Sequence, residues 1–455
     1  MASKSSRWAN DEEDAALEAQ RRKEKEEKKR LKAEKLRKQQ QEAQPPTTTP
    51  DESSAHQQPP AKRRRLSPQP PPPQVPKLLR FEGSTISPSP SVETYTKLND
   101  IEEGAYGFVS RAQSTLTHEI VALKRLKHDP KDRSGLPVTG LREIQILKDC
   151  SHRNIVQLRE VVVGDSSPSA IFLVLEFVEH DLKSILEDMP NPFLASEIKT
   201  LLGQLASGLG YLHSHYILHR DLKTSNLLLS NRGLLKIADF GMARYIGDPP
   251  PAQLTQLVVT LWYRAPELLL GATTYGAAID MWSVGCIFGE LLTREPLLQG
   301  KNEVDELTKI FELCGLPTED SWPSFRRLPN ARALRLPSKV PGAATTGSIV
   351  RARFPLLTAA GADLLASLLS LDPERRPTAR EMLEHEYFRQ DPRAKREDMF
   401  PTFPSKAGQE RRRKRQTPLA PERGKAVELG SVDFSGIFSG REKEERGGGF
   451  TLRMV

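Results

Sequence analysis

Long apolar runs are missing from this chain. No stretch of about 18 apolar residues occurs anywhere in its 455 residues, so a membrane-spanning helix is not expected. The first residues, MASKSSRWANDEEDAA, hold no apolar core of a leader, so no secretory signal is expected. Cysteine is scarce. Cys150, Cys286 and Cys314 lie far apart without metal-ligand spacing, which predicts reduced core thiols in a cytosolic or nuclear protein. Hydrophobic residues reach only 37%, below the usual share for a compact chain, so an ordinary domain must carry polar extensions. Charge and proline are plentiful instead. Lys+Arg 67 against Asp+Glu 59 leaves a net charge of +8.

Composition divides the chain. Residues 1–44 are almost wholly polar, with the run RRKEKEEKKRLKAEKLRKQQQ. Leu31 and Leu36 are nearly alone as large apolar residues there, so no coiled-coil seam can be drawn. A solvated helix or disordered arm is expected. A basic arm that touches an acidic partner, or RNA weakly and non-specifically, is the sharper alternative, although no aromatic residues interleave its charges. Residues 45–94 read as a Pro-rich linker: eleven prolines between Pro45 and Pro76 preclude a core. It carries the basic cluster KRRRL (Lys62 to Leu66), a candidate nuclear import signal, and Ser-Pro pairs at Ser67, Ser87 and Ser89. A second cluster, RRRKR (Arg411 to Arg415), and Thr417-Pro418 lie in a polar tail over 391–455.

Residues 95–390 differ in kind. YTKLNDI, EIVALKRL, IVQLREVVVG and AIFLVLEFV read as strands. Then the period changes: Ile198, Leu201, Leu202, Leu205, Leu209 and Leu212 make one apolar helix face. DMWSVGCIFGELL is apolar nearly all round and reads as a buried helix. Strands followed by helices over nearly 300 residues predict an α+β domain of two lobes with a cleft between them.

The chemistry-bearing residues fall inside this region. Gly104 and Gly107, after the first strand, suit a turn lying flat against phosphates, although Glu102 stands where G-x-G-x-x-G has its first glycine. Lys124 sits in an apolar strand and needs an anionic partner; Glu143 is the candidate. In HRDLKTSN (His219 to Asn226), Asp221 could accept the proton of an attacking hydroxyl, Lys223 could neutralise a transferring phosphoryl, and Asn226 offers a hard oxygen. Asp239-Phe240-Gly241 follows thirteen residues later, and then Ala265-Pro266-Glu267. Each piece alone has a bland structural reading; their order and separations together do not.

In that order the motifs resemble those of eukaryotic protein kinases, and more specifically cyclin-dependent kinases. PVTGLRE looks like that family's cyclin-contacting helix, and VVTLWYRAPELLLG (Val258 to Gly271) like its activation segment. With VEHDLKSIL, RDLKTSNLLLS, DMWSVGCIFGELL and MFPTFP, the likeness is closest to the PITSLRE subgroup, with the cyclin-dependent kinase ten subgroup as the near runner-up. The resemblance implies a bilobal kinase fold, with a β-rich N-lobe over 95–179 and an α-rich C-lobe over 180–390. It also implies ATP and Mg²⁺, a cyclin partner (L-type for this subgroup), Ser/Thr-Pro protein substrates, and a nuclear role in transcription, pre-mRNA splicing or the cell cycle.

Residue roles carry over from the same likeness. Ile101, Val109, Ala122 and Leu228 would sandwich adenine, backbone groups of Glu176 and Val178 would bond its edge, Leu175 would be the gatekeeper, and Asp181 would approach the ribose. Lys124, oriented by Glu143, would hold phosphates; Asp221 would be the base; Asn226 and Asp239 would bind Mg²⁺. Thr255 matches the activating phosphothreonine, with Arg142, Arg220 and Arg244 to collect its phosphate, and Tyr106 an inhibitory site. Val258 and Val259 would shape the pocket after the acceptor residue, where an unpaired carbonyl would favour proline, which brings no N–H. Arg375 or Arg376 would anchor Glu267, and Asp280 would brace the catalytic loop. The competing reading is a kinase-fold scaffold acting through its charged arms; the complete set Lys124, Glu143, Asp221, Asn226 and Asp239 speaks against it.

Overall fold

The computed structural model describes residues 89–103, 107–127, 136–164, 170–247, 251, 253–255, 258–334, 336 and 347–403. The charged arm, most of the linker, Gly104, Tyr106 and the tail beyond 403 lie outside them.

The four expected strands form one antiparallel sheet with a fifth, Gly107–Ser114, that the sequence reading does not single out. β1 (Tyr95–Glu103), β2 (Gly107–Ser114), β3 (Ile120–Leu126), β4 (Leu158–Val163) and β5 (Ile171–Glu176) lie in the order β1-β2-β3-β5-β4. A helix, α1 (Val138–Asp149), sits in the chain between β3 and β4 and buries Gly140, Glu143, Ile146 and Leu147. That spacing is one helical face. Gly107 opens β2 where a Cβ would lie 2.3 Å from the carbonyl oxygen of Arg125, so the close β2–β3 approach requires glycine.

The helical part follows: β6 (His180–Asp181), α2 (Leu182–Asp188), α3 (Ala195–Ser214), β7 (Ile217–Leu218), β8 (Leu227–Leu229), β9 (Leu235–Ile237) and β10 (Arg244–Tyr245). After these come α4 (Pro266–Leu269), α5 (Ala278–Thr293), α6 (Glu303–Cys314), α7 (Val350–Arg353), α8 (Ala359–Leu368), α9 (Ala379–Glu384) and α10 (Glu386–Arg389). The six apolar positions read on α3 are all buried, and α5 is buried continuously from Ile279 to Leu291. These two helices supply the hydrophobic base on which the short strands and loops of the site rest. Cys150, Cys286 and Cys314 are free, and the first two are buried.

Both expected domain edges shift. Ser91 bridges to Val163 and Val92 is buried, so the folded part starts inside the segment read as linker. The segment after 390, read as polar tail, is strapped to the helical part as far as 403. Lys199 Nζ donates to the carbonyls of Gln390 (2.7 Å) and Pro392 (2.8 Å), and Lys395 pairs with Glu197 at 2.8 Å. The backbone N–H of Phe403 donates to Asn231 Oδ1 (3.0 Å). Gly233, at φ +75°, lets Glu397 pass so closely that a Cβ would meet its carbonyl oxygen at 2.2 Å. The prolines and charges of this stretch hide its anchors from a reading based on apolar content.

Candidate active site

Lys124 is buried on β3. Its Nζ donates to Glu143 Oε1 on α1 (2.6 Å) and to Asp239 Oδ1 (2.8 Å). Burial works to lower the lysine's pKa, but the carboxylates of Asp239 and Glu143 overcome it and leave it above its ordinary value. Asp239 shows the converse: burial works to raise it, and Lys124, then Lys223, bring it down to about 2. Asp239 holds φ +63°, a costly conformation for a residue with a Cβ. The next residue, Phe240, is fully buried and packs edge-on against His219, with ring centroids 5.0 Å apart.

The catalytic-loop residues converge on Asp221. Its Oδ1 accepts from the N–H (3.1 Å) and Oγ1 (2.8 Å) of Thr260, and its Oδ2 accepts from Lys223 Nζ (2.8 Å) and Asn226 Nδ2 (3.2 Å). Asn226 Nδ2 also donates to the Asp221 carbonyl (2.8 Å), which turns the oxygen end of the amide away from Asp221. Asp280, fully buried on α5, fixes the loop's backbone: it accepts from the N–H of His219 (3.0 Å) and of Arg220 (2.9 Å). His219 Nε2 lies 3.1 Å from the Ala238 carbonyl, and its Nδ1 accepts from the Asp221 N–H (3.3 Å). A carbonyl can only accept, so Nε2 carries the proton and the ring is neutral. Its burial, which lowers its pKa, agrees.

Strand register sets the neighbours of the residues expected beside the nucleotide. Val109 pairs with Lys124, Ala122 with gatekeeper candidate Leu175, and Asp181 with Leu228. Ile101, Val109, Ala122, Val178 and Leu228 are half-buried. The Glu176 N–H is bonded to the Gln157 carbonyl (3.0 Å), so any contact of Glu176 with an adenine edge would run through its own carbonyl. Its carboxylate pairs with Lys236 at 2.6 Å, a brace absent from the sequence reading.

Val258 and Val259 are buried, and one expectation is corrected here. The Val259 carbonyl is not unpaired: it accepts from Arg264 Nη2 (3.0 Å), while Arg264 Nε donates to the Val258 carbonyl (3.0 Å). Val259 takes φ +65°, which for a β-branched residue must be held by its surroundings. Arg264, locked further onto Glu303 (2.7 Å), is what holds it. Among the regulatory candidates, Thr255 is exposed, Arg142 is half-buried on α1, and Arg220 and Arg244 both lie near Tyr275. Arg376, not Arg375, anchors Glu267. Arg375 lies exposed beside Asp372.

Beneath these loops two carboxyls are held in apolar surroundings. Glu290 accepts from Thr224 Oγ1 (2.8 Å) and from the Tyr263 hydroxyl (2.6 Å), and burial pushes it up to about 7. Glu306 accepts from the Gly300 N–H (2.6 Å), and its Oε1 has no partner among the described residues. Burial pushes it from 4.5 up to about 8, against the Gly300 amide, Lys309 and Arg264. The folded chain therefore keeps Glu306 protonated where the unfolded chain ionises it. The stability this supplies is complete below about pH 4.5 and is lost as pH rises through about 8. Glu306→Gln removes the linkage. Between pH 6 and 8 the wild type should lose on the order of 2 kcal/mol relative to the variant. Thermal denaturation across that range checks it, and parallel curves would contradict it.

Comparison with known proteins agrees with this geometry. The model of the protein kinase domain matches residues 95–388, and the chain belongs to the protein kinase family. It is 52% identical over 324 residues to the serine/threonine-protein kinase ppk23 of Schizosaccharomyces pombe, covering 71% of this chain and 79% of that one. It is 51% identical over 346 residues to mouse cyclin-dependent kinase 11B, and 50% identical over 359 residues to cyclin-dependent kinase G-2 of Oryza sativa subsp. japonica. Each of these two matches takes in 76% of this chain but only 43% and 49% of the relative. Within the family, then, it is a serine/threonine kinase of the cyclin-dependent, PITSLRE-like subgroup.

Proposed function

We propose that this chain is a cyclin-activated nuclear kinase that transfers the ATP γ-phosphate to serine or threonine followed by proline, in transcription or pre-mRNA processing. The observation that carries the substrate preference is the Val259–Arg264 bond. With the Val259 carbonyl already bonded to a guanidinium, a residue after the acceptor would bury its N–H without a partner; proline has none. Val138 and Leu141, exposed at 54% and 53% on the helix that carries Glu143, offer an apolar face for a cyclin. The PITSLRE likeness makes an L-type cyclin the expected one, and the basic clusters of linker and tail suit nuclear import and, through non-specific charge, weak RNA contact.

The chemistry follows from the side chains. Lys124, positioned by Glu143, would pair with the α- and β-phosphates. The acceptor hydroxyl would lie at Asp221, whose carboxylate takes its proton, while Lys223 offsets charge on the moving phosphoryl. Asn226 and Asp239 fit Mg²⁺: both offer hard oxygens, and Asn226 has its nitrogen end engaged elsewhere. Among the described residues no three His, Cys, Asp or Glu side chains could enclose a metal alone, so substrate oxygens would complete the set. When bound, the ion would neutralise phosphate charge.

The test is purification of the full-length chain with its co-purifying cyclin, followed by assays on paired peptides. A Ser-Pro peptide should be phosphorylated roughly ten- to a hundredfold faster than its Ser-Ala counterpart. Equal rates would overturn the substrate reading. A cyclin other than L-type, recovered without RNA-processing proteins, would overturn the cellular one.

A further inference from the structure

The tip of the activation segment is tethered through its backbone, by bonds in which the Thr255 side chain takes no part. Leu254 is buried and its N–H donates to the Thr273 carbonyl (2.8 Å). One residue on, the Thr255 carbonyl accepts from the Tyr275 hydroxyl at 2.6 Å. That same hydroxyl accepts from Arg220 Nη1 (3.1 Å), whose Nε donates to the Met242 carbonyl (2.8 Å). Arg220 is 5% exposed and its own N–H is fixed by Asp280. A continuous chain of bonds therefore runs from the buried helix α5, through the catalytic loop, to the backbone of the residue whose side chain faces solvent.

We propose that Tyr275 is a positioning residue of the activation segment: its hydroxyl joins Arg220 to Thr255 and holds the tip in place before Thr255 is phosphorylated. The inference rests on the reading of Thr255 as the activating phosphosite. Three properties suit the role. The ring is 7% exposed, so its position is set by packing. The hydroxyl accepts from the arginine and donates to the carbonyl, both capacities being used. Burial raises its pKa over the opposing pull of Arg220 and Arg244, so it keeps the proton it donates. A phosphate on Thr255 would bring its own bonds to the arginines and make the tyrosine bond redundant.

Tyr275→Phe removes the hydroxyl and keeps the ring. Wild type and variant are compared as cyclin complexes, each unphosphorylated after phosphatase treatment and each with Thr255 fully phosphorylated by mass. Unphosphorylated, the variant should lose about tenfold in kcat/KM, and the amide of Leu254 should exchange hydrogen faster. Phosphorylated, its loss should be under about twofold. Equal losses in both states, or no loss in the unphosphorylated one, overturn the proposal. If phosphorylation leaves wild-type activity unchanged, it is the activation reading that fails. Hydrogen exchange at Leu254 then still decides the tether: unchanged exchange in the variant overturns it.

Discussion

Replacing Asp221 by asparagine is expected to lower kcat by roughly a thousandfold and to leave the KM for ATP near its wild-type value. The carboxylate is the point on which four donors converge, from Thr260, Lys223 and Asn226. An asparagine of the same shape keeps one oxygen for them and presents an amide to the rest. On the proposed reading it also loses the group that would take a proton from an incoming hydroxyl. The residues proposed to contact the nucleotide, Lys124, the N-lobe strands, Asp181 and Leu228, are untouched, so the split between kcat and KM reports the step affected. Steady-state kinetics of the cyclin complex measure both.

The second large effect is on stability. Arg376 is buried against Glu267 in a two-pronged pair, Nη1 to Oε1 at 2.6 Å and Nη2 to Oε2 at 2.7 Å. Its remaining donors reach the carbonyls of Ser370 (2.8 Å), Ala278 (3.0 Å) and Leu371 (3.2 Å), and the guanidinium lies 5.0 Å from the Trp282 ring centroid. Arg376→Ala would strand a buried carboxylate and several carbonyls. The cost is about 3–5 kcal/mol, which should lower the Tm by roughly 10 °C. Arg376→Lys should recover little, since an ammonium cannot reproduce the planar fork. A double replacement, Glu267→Leu with Arg376→Met, should be more stable than Arg376→Ala, because no unpaired charge remains. Calorimetry of the three variants checks the order, and a lysine variant with wild-type Tm would contradict it.

What was legible in the sequence was carried by side-chain patterns. The faces of α3 and α5 were readable from apolar spacing because those helices are buried by leucine, isoleucine and aromatic residues. Lys124 and Glu143 were readable as a pair because a charge in an apolar strand demands an opposite one. β2 was not singled out as a strand: its buried positions are Gly107, Ser110, Ala112 and Ser114, small or polar residues with no hydrophobic signal. The Val259 bond to Arg264 was likewise hidden. It depends on a positive φ that a valine's identity argues against, and on an arginine that reads from sequence as a solvated charge. The strap over 390–403 joins polar anchors at Lys199, Thr200 and Lys395 to two aromatic ones, Phe400 and Phe403 against Phe193, and so few apolar residues leave it counted by composition as polar tail.

The most direct test of the account is transfer of labelled γ-phosphate from ATP to a Ser-Pro peptide by the purified cyclin complex, run beside its Asp221→Asn counterpart. The wild-type complex should label the serine before proline, and the variant should stay near background. An unlabelled peptide with the wild-type complex, or equal labelling by both proteins, would contradict the site as described.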